Sequence, residues 1–262
     1  MFATPVVSND SNWAGYIIAS DLQNPQPTVT SISSSYIVPP VTINDQIDTF
    51  TAVWIGIGGF FDTTLIQAGT EMDSIGGQAD YSAWYELLPA FSITIPTINV
   101  SPGDVINTTI RLVDSAINEW SIYIADQTSN QVFQSNFLYH SSQLSAEWIV
   151  ERPVAGRRLA TLANVGSVTL ANCETTVGLQ TGNISSFPSV QSVMYGSLQN
   201  TTGLTQLTVV SDLLNGGSSF IVYTDLSVIP ELPAWAVLPI AMGHFLFAVV
   251  IRRSRNTGNR KL

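Results

Sequence analysis

The chain has 262 residues, 45% of them hydrophobic and 11% charged, enough for one large domain or two small ones with a proper core. All nineteen acidic residues lie at or before Glu231, where the only basic ones are Arg111, Arg152, Arg157 and Arg158, and a surface so acidic repels nucleic acid. The single cysteine, Cys173, excludes an intrachain disulfide, and with two histidines it excludes a zinc site built from His and Cys.

Residues 1–11 read as a flexible lead with no basic n-region and no long apolar h-region, so an export signal is expected to lie outside this sequence. Asn12-Trp13-Ala14-Gly15-Tyr16 opens a domain predicted over 12–228. Short runs rich in β-branched and aromatic residues then follow one another, punctuated by Pro, Gly and Asn. They are Val29–Val38, Thr51–Ile57, Thr64–Gly69, Tyr81–Leu88, Val105–Val113, Trp120–Ala125 and Val132–Leu138. Ser145–Glu151, Gly166–Leu170, Val190–Tyr195, Thr205–Ser211 and Ser219–Thr224 complete the set, with Asn215-Gly216-Gly217 as a hairpin turn. No long helical pattern occurs before residue 232. The expected fold is all-β: a curved β-sandwich of two antiparallel sheets.

Pro233–Ile251 holds a single ionisable residue, His244, and is followed by Arg252-Arg253-Ser254-Arg255. That is long enough for one C-terminal transmembrane helix over 233–251, with Trp235 where an interfacial aromatic belongs. Residues 229–232 would be a short linker and 252–262 a basic cytoplasmic tail. The positive-inside rule then puts the acidic domain outside the cell, anchored to the membrane at the cell surface.

Within Ser145–Glu151, alternation puts Glu147, Ile149 and Glu151 on one face and Trp148 and Val150 on the other. Carboxylates are poor strand formers, so the repeated acid needs an explanation, the bland one being a solvated face. Tyr81–Leu88 likewise puts Trp84 and Glu86 together, opposite Ala83, Tyr85 and Leu87. His140 lies in no nucleophile motif and reads as a surface residue. No glycine-rich phosphate loop and no EF-hand spacing is present, although acidic positions such as Asp62 or Asp73 leave calcium open. Carboxylates, amides and tryptophans remain. They suit a glycosidase with two acids about a glycosidic oxygen, or a peptidase with one acid activating water and a neutral donor holding the oxyanion. Trp54, Trp84 and Trp148, taken singly, are expected in the core.

Six motifs occur in order: Asn12-Trp13-Ala14-Gly15, Trp54-Ile55-Gly56-Ile57, Leu65-Ile66-Gln67-Ala68-Gly69-Thr70, Tyr81-Ser82-Ala83-Trp84-Tyr85-Glu86, Ser101-Pro102-Gly103-Asp104 and Ala146-Glu147-Trp148-Ile149-Val150-Glu151. Together they resemble the glutamic peptidases, or eqolisins, from about Asn12 to Val168 and more weakly to Thr224. The resemblance implies an acid-acting endopeptidase with a Gln/Glu dyad formed by Gln67 and Glu151, needing no metal or cofactor. It implies that Trp13 and Trp54 lie near the active site, that Glu71 stands beside the dyad where fungal members carry an aspartate, and that Trp84 and Glu86 come from the Trp-Tyr-Glu motif. Glu147 would be a supporting or solvated acid. Gly58, Ser82 and Leu88 depart from fungal members, as the prokaryotic branch does. The expected partners are polypeptide substrates and the membrane, for a monomer. A carbohydrate-binding module, or a glycosidase using Glu86 with Glu151, shares the architecture. Glu147 with Glu151 would lie about 13 Å apart along one strand, too far for either glycosidase geometry.

Overall fold

The computed structural model describes residues 4–156, 158–196 and 203–225. The expected linker, transmembrane helix and basic tail (229–262) lie outside the described residues. No helix among the described residues is long and apolar enough to cross a membrane. Their only helical pieces are two 3-10 turns, Ile184–Ser186 and Asn215–Gly217. The second sits where the hairpin turn was expected, with Gly216 at φ 68°.

Two large sheets carry the fold. The wider one runs, from one edge, through Val6–Asp10, Ser189–Gly196, Trp13–Ala19, Ser145–Glu151, Ala52–Ile57 and Ile66–Ile75, and Gln78–Leu87 pairs along the far side of the last. The second runs through Gln131–Leu138, Glu119–Asp126, Val105–Asp114, Val29–Ile37, Ser167–Val177, Phe220–Tyr223 and Val209–Val210. Pairing is mostly antiparallel, as expected, but Val6–Asp10 runs parallel to Ser189–Gly196, and Thr161–Leu162 runs parallel to Thr49–Phe50. Part of the flexible lead is therefore a strand. Its partner lies about 180 residues further along the chain, so no local pattern announces it.

Most predicted strands recur with extended ends. The expected Thr64–Gly69 is a ten-residue strand, Ile66–Ile75, and Gly166–Leu170 becomes Ser167–Val177. The expected Thr205–Ser211 instead divides into Thr205–Gln206 and Val209–Val210. Between the sheets lies the main core, with Tyr16, Ile55, Ala68, Trp148 and Val150 from the wider sheet meeting Ile32, Ile110, Trp120, Leu170 and Phe220 from the other. Trp148 is core, as expected.

Antiparallel sheets in sandwiches commonly turn their outer face to water. Here Trp13–Ala19, Ala52–Ile57 and Ser145–Glu151 are buried at every position, on both faces. The outer face carries a second apolar cluster, comprising Trp13, Ile17, Ala52, Trp54, Leu65, Trp84, Ile149 and Val190, with Leu22, Phe60 and Leu88 packed on it. Trp54 and Trp84 are buried in a hydrophobic core, as expected, but in this second cluster rather than between the sheets. The covering also rules out the solvated-face reading, since Glu147 and Glu151 are 0% and 1% exposed.

Candidate active site

Strand register turns the outer face into three ladders. In the first, Trp13 lies opposite Glu151, Glu151 opposite Ala52, Ala52 opposite Glu71 and Glu71 opposite Ser82. In the second, Gly15, Ile149, Trp54, Gly69 and Trp84 follow in the same order, and in the third Ile17, Glu147, Gly56, Gln67 and Glu86. Period-two alternation keeps all fifteen positions on one face. Every site residue expected from the sequence is therefore on this face: Trp13, Trp54, Gln67, Glu71, Trp84, Glu86 and Glu151. Gln67 and Glu151 do not share a ladder. They stand on strands separated by Ala52–Ile57, offset along the chain direction.

Trp54 spans that offset. Its indole Nε1 donates to Glu151 Oε2 at 2.7 Å. The far edge of its ring lies over Gly56, where an added Cβ would meet Trp54 Cζ3 at 2.9 Å and Gln67 Cβ at 3.3 Å. Glycine at 56 leaves room for this crossing. Gly69 does the same one strand further on, since a Cβ there would meet Trp54 Cα and Cβ at 2.7 Å. Trp13 braces the indole edge-on, with ring centroids 5.1 Å apart and planes at 77°.

Glu151 accepts a second bond, from Asn12 Nδ2 to Oε1 at 3.0 Å. Asn12 is held by a turn before its strand, in which Asp10 Oδ1 accepts from the backbone N–H groups of Asn12 and Trp13 at 2.8 and 3.0 Å. Asn12, bonded to Glu151, and Asp10, which holds Asn12, are supporting residues that sequence reasoning missed. The available signal was an Asp two residues before an Asn at a strand start, an Asx-turn pattern. Among the described residues no cation pairs with Glu151: its neighbour Arg152 donates from Nε to Ser11 O. Burial is the largest influence on Glu151 and pushes it up to about 8, against the bonds from Asn12 and Trp54, while the Glu86 charge raises it further.

Gln67 is fully buried, and its Nε2 donates to Glu86 Oε2 at 2.6 Å rather than to a backbone group. An amide nitrogen carries two N–H groups, so one remains for a ligand. Burial raises Glu86 to about 7, partly offset by the Gln67 bond. The Glu86 charge thus acts on Glu151 while its carboxyl holds Gln67, linking the two ladders. Glu71 receives a long contact from Ser82 Oγ at 3.5 Å and, with Asp48, Asp80 and Pro153, lines a cavity of about 930 Å³ at the end of the Glu151 strand.

Glu147 is not solvated. Among the described residues neither oxygen has a hydrogen bond of good geometry; burial raises its pKa strongly, the nearby Ser145 hydroxyl and Phe60 N–H oppose the rise, and the Asp62 charge adds to it. Among the described residues Gln67 Oε1, Glu86 Oε1 and the indole nitrogen of Trp84 are also buried without partners, while the Trp13 indole lies near enough to Glu151 to favour its ionised form. So many unpaired polar atoms on one face are unusual, because buried polar groups are generally satisfied. Asp73, named as open to calcium, sits in a strand rather than a loop, and Thr51 N–H donates to it. Among the described residues no three His, Cys, Asp or Glu side chains cluster so as to hold a metal ion. His140 is exposed and beyond this face.

An amide and a carboxyl are thus both sequestered from solvent on a tryptophan-lined face of the β-sandwich. The chain belongs to the peptidase A4 family, whose model matches residues 11–214. It is 28% identical to aspergillopepsin-2 of Aspergillus niger over 189 residues, 64% of this chain and 65% of that relative. The alignment thus spans slightly less than two thirds of the curated relative's length. Among solved structures, scytalido-glutamic peptidase with a transition state analog inhibitor superposes with a TM-score of 0.66 at 21% identity, covering 82% of this chain and 99% of that one. Aspergilloglutamic peptidase from Aspergillus niger gives a TM-score of 0.57 at 28% identity, covering 68% and 99%.

Proposed function

We propose that this protein is an endopeptidase that hydrolyses polypeptides with Glu151 and Gln67 as its dyad. Family membership supports the reaction class. The observation that carries the assignment is the pairing of supports: Glu151 is held by Asn12 and Trp54, and Gln67 by Glu86, all on one buried face.

The ionised carboxyl of Glu151 takes a proton from water, and the water oxygen bonds to the scissile carbonyl carbon. The free N–H of Gln67 Nε2 donates to the resulting oxyanion, a contribution of about 3–4 kcal/mol in comparable sites. The carbonyl then re-forms, the C–N bond breaks, and Glu151 returns its proton to the departing amine nitrogen. The hydrogen bonds from Asn12 and Trp54 favour the ionised form, and the raised pKa makes that form a strong base. Because burial raises Glu151 to about 8, the ionised base is a small fraction of the protein in acid and grows as pH rises. The cell-surface anchor, with the domain outside, is part of the same reading and rests on residues 233–262.

Incubation of the protein with a denatured polypeptide at pH 3–5, beside a polysaccharide panel, separates this reading from a glycosidase or a carbohydrate-binding module. Glu151→Gln and Gln67→Ala should each abolish cleavage with the fold intact. Full activity in both variants would overturn the assignment.

A further inference from the structure

We infer that Tyr139 is a positioning residue for the Gln67 amide: its hydroxyl is inserted between Leu65 and Leu88, in the last rung beside the bonded pair Gln67 and Glu86. The inference rests on the proposed peptidase reading and adds to that site a residue carried by the other sheet.

Gln67 lies opposite Glu86 and Ile66 opposite Leu87, so the next facing pair is Leu65 and Leu88. Facing residues of this kind in an antiparallel pair ordinarily exchange two backbone hydrogen bonds. Here one is direct, from Leu88 N–H to Leu65 O at 2.9 Å. The other is relayed: Leu65 N–H donates to the Tyr139 hydroxyl at 2.7 Å, and that hydroxyl donates to Leu88 O at 2.9 Å. Two bonds in series take the place of one, so a hydroxyl sets the spacing of the strand ends on this side. Side chains two residues apart in a strand share a face, which puts Leu65 beside Gln67 on the outer face. Leu65 joins the apolar cluster of Trp54 and Trp84, and Leu88 packs on it. A Cβ added at Gly56 would meet both Leu65 Cδ1, at 2.7 Å, and the Trp54 ring. A shift of the Leu65 backbone therefore reaches Gln67 along the strand and Trp54 across it.

Tyr139 takes its own position from elsewhere. It follows Gln131–Leu138, the edge strand of the second sheet, its backbone N–H donates to Asn118 O at 3.0 Å, and its side chain packs against the main core. The hydroxyl thus ties the rung beside Gln67 to a frame outside the wider sheet. Gln67 Nε2 is aimed by its 2.6 Å bond to Glu86, so its direction follows the spacing of these two strands. Burial pushes the Tyr139 hydroxyl up to about 12, against the Leu65 bond and with the Asp62 and Glu86 charges adding to the rise, so the phenol keeps its proton in acid and at neutral pH. Without the hydroxyl, Leu65 N–H and Leu88 O must close on each other or lose their partner, and Leu65 is fully buried. Either outcome disturbs the pair that holds the amide.

The test uses the full chain. Tyr139→Phe keeps the ring and removes only the relay. On a fluorogenic peptide it should lower kcat about fivefold to tenfold and leave KM within about twofold, the pattern of a donor misaligned in the transition state. Added to Glu86→Ala, it should cost less than about a further twofold, because the amide is already released, whereas a merely structural effect would multiply. Melting curves confirm the fold of each variant. A second readout needs no turnover. The side-chain amide protons of Gln67, identified in NMR spectra by their loss in Gln67→Ala, should exchange with solvent at least about tenfold faster in Tyr139→Phe than in the wild type. A kcat close to that of the wild type, losses that multiply in the double variant, or unchanged exchange at Gln67 would overturn the inference. If the wild type cleaves nothing, the peptidase reading falls, and the exchange measurement alone decides whether Tyr139 holds Gln67.

Discussion

Replacing Trp54 by phenylalanine keeps a ring against Trp13 but deletes the indole N–H that donates to Glu151 Oε2 at 2.7 Å. The shortest hydrogen bond to this buried carboxyl is then lost, leaving the Asn12 amide and the weaker influence of the Trp13 side chain. A hydrogen bond to a charged group contributes about 1.5–3 kcal/mol, and here it acts on the ionised form. Each 1.36 kcal/mol is a factor of ten in the ionised fraction, so kcat/KM should fall roughly 10- to 100-fold in acid. Burial places Glu151 at about 8, so the carboxyl is almost wholly neutral at pH 4–6 and the whole loss is visible there. The gap should narrow as pH rises towards full ionisation of both proteins. The assay is a pH profile of kcat/KM on a fluorogenic peptide, with melting temperatures recorded in parallel. Activity within twofold of wild type across pH 4–6 would refute the claim that the indole supports the ionised base.

Glu147, Glu86 and Glu151 all have pKa values raised by burial, so the folded state holds their protons more tightly than the unfolded chain does. Their stabilisation is complete below about pH 4 and is lost as pH rises through the folded values, near 7 for Glu86 and 8 for Glu151. The melting temperature should therefore fall between pH 5 and 8, and Glu147→Gln should raise it by about 2–4 °C per kcal/mol at pH 7.5 while changing little at pH 4. A melting temperature that rises with pH would contradict the neutral assignment. Glu86→Gln should be nearly silent below pH 6, where Glu86 is already uncharged, whereas Glu86→Ala releases the Gln67 amide and should lower kcat roughly fivefold to tenfold. Equal kcat in both variants would show that Glu86 does not position Gln67. Gly69→Ala would drive a methyl into the Val53 carbonyl and the Trp54 backbone, costing about 1–3 kcal/mol or more, measured by denaturant titration.

Alternation alone made Glu147, Ile149 and Glu151 one face, and Trp84 with Glu86 another, because the strand period is local and exact register is not needed to read it. What the sequence could not convey is which strands become neighbours. The bond from Asn12 to Glu151 crosses 139 residues and that from Trp54 to Glu151 crosses 97. No periodicity encodes such pairings, so neither the bond from Asn12 nor the strand Val6–Asp10 is legible in local sequence. The covering of the outer face was equally hidden. It depends on Leu22, Phe60 and Leu88, loop or loop-edge residues that pack onto the sheet from above. A glutamate beneath them is buried by residues far from it in sequence, so strand alternation alone leaves Glu147 open between a supporting and a solvated acid.

That covering sets the chemistry and the stability of this protein against each other. Exclusion of water strengthens the Gln67 donor and makes Glu151 a strong base once ionised, because interactions between charges and dipoles grow as the local dielectric falls. The same exclusion penalises the ionised form, and among the described residues no arginine or histidine is placed to offset it; the compensation comes from neutral donors, chiefly Asn12 and Trp54. A cationic neighbour would lower the carboxyl further but would weaken it as a base. Neutral donors leave a glutamate that stays protonated through the acid range, where the buried face is most stable. The fold therefore favours acid for its integrity, and the hydrogen bonds to Glu151 determine how much of the base survives there.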